Sequence, residues 1–95
     1  MTGHAGEDLT IAAVGGGQYR VQLPSRDGRV DVVLEMDDAA GVSDGRLQDN
    51  ESTARATVLY LLTHQDPEDL PPRLELGDVV AAYPDAVDRI EALLE

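Results

Sequence analysis

Apolar and polar positions alternate three times in the first third of the chain. Leu9, Ile11 and Ala13 interleave with Thr10, Ala12 and Val14; Tyr19, Val21 and Leu23 with Gln18, Arg20 and Gln22; Val30, Val32, Leu34 and Met36 with Asp31, Val33 and Glu35. Successive side chains leave a strand on opposite sides, so a period of two predicts three strands with one buried face each. A three-residue loop at Gly15-Gly16-Gly17 pairs Ala13 with Tyr19, Ile11 with Val21 and Leu9 with Leu23, setting a small residue against a large one at the loop end. A two-residue turn at Asp27-Gly28, a favoured hairpin signal, pairs Leu23 with Val32, Val21 with Leu34 and Tyr19 with Met36, and sets Arg20 beside Glu35 on the wet face. The same register opposes Arg26 to Arg29, a mild repulsion that a longer loop of equal parity avoids. The expectation is an antiparallel meander with residues 18–23 in the middle and residues 9–14 and 29–36 as open edges.

The triple glycine also invites comparison with a phosphate-binding loop. Such a loop needs a lysine after its last glycine and a helix starting there, and a dinucleotide fingerprint needs G-x-G-x-x-G before a helix. Here the glycines lead into the alternating run QYRVQL, and the chain has no lysine. Glycine is placed here because a tight reversal needs positive φ without a steric penalty. The run reads as a hairpin loop.

The pattern then changes. Residues 37–48, DDAAGVSDGRLQ, show no period and read as a mobile loop crossing from sheet to helices. Within it, GVSDG (41–45) matches the nucleophile-elbow spacing G-x-S-x-G, but that elbow works on a large α/β sheet that a chain of 95 residues cannot build. Asp44, Gly45 and Glu51 fall at calcium-loop positions five, six and twelve, while Ala40 and Val42 occupy positions one and three and offer no carboxylate. From residue 49 the period is helical. Asp49 or Asn50 can cap a helix carrying Ala54, Val58, Leu61 and Leu62 on one stripe, widened by Leu59. Asp66-Pro67 and Pro71-Pro72 stop it. A short helix over about 77–83 follows, then one opened by Pro84, with Ala86, Val87, Ile90, Leu93 and Leu94 inward and Asp88, Arg89 and Glu91 in water.

These elements predict one α+β domain over 9–95: a three-stranded antiparallel meander (9–36) packed on one face by two or three helices drawn from 49–95, after a disordered tail, 1–8. Val33, with Ala12 and Val14 beside it, leaves the other sheet face mildly apolar. Small domains often complete a core by dimerising, so that face is the candidate contact for a homodimer. A second possible partner contact is the open sheet edges, which can accept a strand.

Charge narrows the partners. Nineteen acidic residues against seven arginines give a formal charge of −12. Nucleic acid repels such a surface unless arginines cluster, and these are scattered from Arg20 to Arg89. The acidity has two explanations. One is compositional, a high-GC genome or a salt-rich cytoplasm, and it matches the absence of Lys and Phe. The other is a surface that docks on a basic protein partner. At 42% hydrophobic and 27% charged residues the chain is ordinarily globular, with no run long enough for a membrane span and no signal-peptide pattern, so the cytoplasm is the expected compartment.

Little chemistry remains. Without lysine there is no Schiff base, and without cysteine no thiol nucleophile and no cysteine-bound zinc. The best constellation is His64 with Asp66, Glu68 and Asp69, which could hold a metal or share a proton, although they fall in a proline-broken turn rather than on one helix face. Tyr60, off the main stripe of its helix, is the tyrosine expected to be presented to a partner. The function class expected from these residues is a non-enzymatic cytoplasmic interaction or regulatory protein with no cofactor, contacting its partner through Tyr60, His64, Asp66, Glu68, Asp69 or Val33. The alternative is a small metal-dependent or acid/base site around His64.

Overall fold

The structure, a computed structural model, describes residues 9–25 and 28–94; the expected tail, 1–8, lies outside them. Period-two alternation is realised in β1 (Thr10–Gly15), β2 (Gln18–Ser25) and β3 (Gly28–Glu35), an antiparallel meander. Ile11, Tyr19, Val21, Leu23, Val32, Leu34 and Met36 are buried on one face, and Leu9 joins them just ahead of β1. The β1–β2 register is the expected one up to Ala13, with Ile11 opposite Val21 and Ala13 opposite Tyr19, but Gly15 belongs to β1 and lies opposite Gln18, where a three-residue loop would have put Val14. A bulge between Ala13 and Gly15 then turns Val14 out, 55% exposed. Ala13 is also exposed.

The β2–β3 register differs from expectation by two residues. Leu23 lies opposite Val30, Val21 opposite Val32 and Tyr19 opposite Leu34, and Ser25 opposite Gly28. Gly28 therefore pairs within β3 rather than forming the expected turn with Asp27; residues 26 and 27 lie outside the described residues. The slip keeps parity, so the same side chains stay inside. It also sets Arg29 opposite Pro24, relieving the arginine pairing, and places Gly28 at φ +128, where a side chain would be strained. Arg20 consequently faces Val33, and Glu35 faces Gln18.

A fourth strand, β4 (Arg73–Glu75), was not expected. It runs parallel to β3, pairing Val33 with Arg73, Leu34 with Leu74 and Glu35 with Glu75, and the Val33 N–H donates to the Pro72 carbonyl at 2.9 Å. The edge expected to be open along 29–36 is thus covered over its second half. Three residues are too few for a visible period, and a parallel partner arrives only after a long crossover.

That crossover holds α1 (Ala39–Val42) and α2 (Glu51–Leu62). The segment expected as a mobile loop, 37–48, is instead a packed connection. Ser43, buried, donates to the Ala39 carbonyl at 2.6 Å and accepts from the Leu47 N–H at 2.9 Å, while Ala39 and Leu47 are fully buried. Ser43 closes a helical turn and is not raised on an elbow. Asn50 caps α2 by accepting from the Thr53 N–H at 2.9 Å, as the sequence suggested. α2 packs on β1 with one side and on α4 (Ala86–Leu93) with another, and α3 (Leu76–Ala82) leans on α1 and β4. In α4 Ala86 and Ile90 face inward, whereas Leu93, expected inside, is 43% exposed. Among the described residues no helix is long and apolar enough to cross a membrane.

The glycine loop shows why three glycines are used. Gly15, Gly16 and Gly17 have φ of +96, +63 and +77. Gly16 has open space where a Cβ would go, but at Gly17 that atom would lie 2.7 Å from the Asp37 Cβ and 2.9 Å from its Cα. The close approach comes with the Met36 N–H donating to the Gly17 carbonyl at 2.7 Å, which ties the end of β3 to the loop. Gly16→Ala is therefore expected to cost about 1–2 kcal/mol, the left-handed penalty alone. Gly17→Ala adds a backbone displacement and should lower the urea midpoint clearly further; equal midpoints for the two variants would refute the Gly17–Asp37 contact.

Candidate functional site

The end of α2 and the junction between α3 and α4 converge on one concavity of about 370 Å³, lined by Tyr60, Thr63, His64, Asp85, Arg89 and Leu93. Tyr60 is the anchor. Expected to face a partner, it is 3% exposed, because α2 is sandwiched between the sheet and α4 and buries Thr53, Ala56 and Tyr60 as well as its sheet-facing stripe. Its Oη donates to Asp85 Oδ1 at 2.6 Å. Burial first, and then this hydrogen bond, push the phenol up to about 12. The same bond, with help from Arg89 at 3.5 Å, holds the Asp85 carboxyl below its ordinary value against some desolvation. A neutral phenol donating to a carboxylate clips α2 to the start of α4.

His64, one turn beyond Tyr60, is exposed and stacks on Tyr83, centroids 4.6 Å apart and planes at 18°. It meets Tyr60 edge-on at 4.9 Å, and Tyr60 meets Tyr83 at 5.7 Å and 86°. These are favourable aromatic geometries. The imidazole thus belongs to an aromatic cluster that bridges α2 to the α3–α4 junction.

The acidic residues expected beside it are elsewhere. Asp66, Glu68 and Asp69 are exposed on and beside the single 3-10 turn Pro67–Asp69, and Asp66 and Glu68 border a separate shallow depression with Pro24 and Ser25 at the end of β2. Among the described residues no group of three or more His, Asp or Glu is placed to hold a metal ion. Among the described residues, the structure does not assemble the metal-holding group expected around His64. Sequence reasoning missed Tyr83 and Asp85; the Asp85–Arg89 spacing of four was the one local signal, and it speaks of a helix-surface pair.

Two further features matter. Arg46, from the connection before α2, bonds Asp88 at 2.6 Å and Glu91 at 2.5 Å and so fastens α4 from the other side. The second feature is the sheet face turned away from the helices. Val33, half-buried, stands in a row across it, Ala12–Arg20–Val33–Arg73, flanked by the rows Thr10–Gln22–Asp31 and Gln18–Glu35–Glu75. Arg73 pairs with Glu35, and the Gln18 amide donates to Glu35 at 3.5 Å. Adding Arg29, three arginines balance Asp31, Glu35 and Glu75, so this face is neutral. The other described arginines, Arg46, Arg55 and Arg89, stand against twelve carboxylates on the rest of the surface.

Comparison with protein families, curated proteins and solved structures returned no match for this chain.

Tyr19 repeats the phenol–carboxylate arrangement, donating to Asp49 at 2.8 Å, and is likewise pushed up to about 12, chiefly by burial. For a phenol raised in the folded state, the native protein binds more protons than the unfolded chain above pH 10, so stability declines as pH rises from 10 to 12 and is unaffected below. Ultraviolet titration should therefore show Tyr19 and Tyr60 still protonated at about pH 11. Tyr19→Phe and Tyr60→Phe should each flatten the alkaline loss of stability. Ionisation of Tyr19 and Tyr60 near 10 with the fold intact would contradict both bonds.

Proposed function

We propose that this chain is a non-enzymatic cytoplasmic interaction or regulatory protein whose helical side docks on a basic protein partner. One observation supports the reading: charge is segregated. Acidity arising from composition alone would spread over every face, yet the sheet face is balanced and the excess lies on the helices and their connections. A one-signed surface steers an oppositely charged partner and rejects like-charged ones, nucleic acid included. Asp66, Glu68 and Asp69 stand foremost, since Pro67 holds their turn in place and all three carboxylates are exposed.

Such docking is weakened by salt, because exposed charges are screened over about 8 Å at physiological ionic strength. The immobilised chain should retain a defined basic protein from native lysate at low salt and release it at high salt. The Asp66→Asn/Glu68→Gln/Asp69→Asn variant should retain markedly less. No retained protein at low salt, or retention indifferent to both salt and the variant, would leave the acidity as a matter of composition.

A further inference from the structure

We infer that the uncovered sheet face is the contact surface for a second copy of this chain, stacked face to face about a two-fold axis. The pairing register arranges the charges of this face in bands across the strands. Along β3 the outward residues are Arg29, Asp31, Val33 and Glu35. Arg20 and Arg73 flank Val33 on the neighbouring strands, and Glu75 lies beside Glu35. Read from one end of the sheet to the other, the bands run positive, negative, positive, negative. Alternate residues along a strand put neighbouring bands about 7 Å apart.

This order is complementary to its own reverse. A two-fold axis lying across the strands, midway between the Asp31 and Val33 rows, sets each strand antiparallel over its own counterpart. Asp31 then faces Val33 of the second copy and falls between Arg20 and Arg73 of that copy, one strand spacing to either side. Arg29 faces Glu35 with Glu75 next to it. Every positive band meets a negative one, and the two-fold repeats each contact, as an isologous interface requires. Near the axis lie Val33 and Ala12, the small apolar part of the face. Two sheets stacked in this way lie about 10 Å apart with strands within about 30°. The acidic helical layers then end up on the two outer sides, so the excess negative charge of one copy is kept away from that of the other. A partner carrying the opposite net charge gains nothing from a neutral face; a copy with the same banding does.

The surface is independent of the docking proposed above, and its test reads a different quantity, the mass of the chain alone. Sedimentation equilibrium should give twice the chain mass for the natural protein. Asp31→Arg places like charges together at the two-fold-related contacts, and Arg20→Glu does the same with Asp31; each should raise the dissociation constant about tenfold or more. Both positions are exposed, and circular dichroism should show the fold unchanged. An equal mixture of the two variants sets opposite charges at the 20–31 contact in both halves of the interface and should shift back towards a dimer. A monomeric natural protein, a dimer whose mass neither variant changes, or a mixture that fails to recover would each overturn the inference.

Discussion

Burial of one face of the sheet beneath the helical layer is the interaction on which the remainder depends. Val21, Leu23, Val32, Leu34 and Met36 lose almost all contact with water there, and each such side chain contributes roughly 1.5–3 kcal/mol to folding. Because side chains alternate, this burial dictates what the opposite face carries. The residues between the buried ones, Arg20, Gln22, Asp31, Val33 and Glu35, have no choice but to project outward together. A surface with its own charge order is thus a by-product of packing the core.

The helices are fixed to one another, and to that layer, by polar clips. Tyr60 to Asp85, Arg46 to Asp88 and Glu91, and Tyr19 to Asp49 each join segments far apart in sequence. The carboxylates so engaged are only part of the acidic complement, and most of the other described ones give the helical side its charge. One set of residues thereby serves two ends: a few acids hold the fold, while the surplus gives the surface its sign.

What could be read from the sequence follows the same logic. Parity was legible in all three long strands, since misplacing it would put Leu34 or Val21 in water. The β1–β2 register was legible because the glycines mark the reversal. The β2–β3 register was not: pairing Val21 with Val32 or with Leu34 buries the same side chains, so hydrophobic pattern is indifferent between them. β4 and α1 are too short to show a period. Tyr60 was misjudged because a helix packed on two sides buries more than one stripe. In the candidate site, His64 stacks on Tyr83 from the α3–α4 junction, a contact that no local spacing announces. The charge bands depend on both the slipped register and β4, and so became visible only in three dimensions.

The order of charges on the outer face therefore turns on the alignment of β2 with β3 and of β3 with β4. Nuclear Overhauser contacts between backbone protons test it most directly. The pairing described here links Arg20 to Val33 and Val33 to Arg73 across adjacent strands. Contacts joining Arg20 to Glu35 instead, or an absence of any between Val33 and Arg73, would dissolve the bands and contradict the arrangement of the outer face.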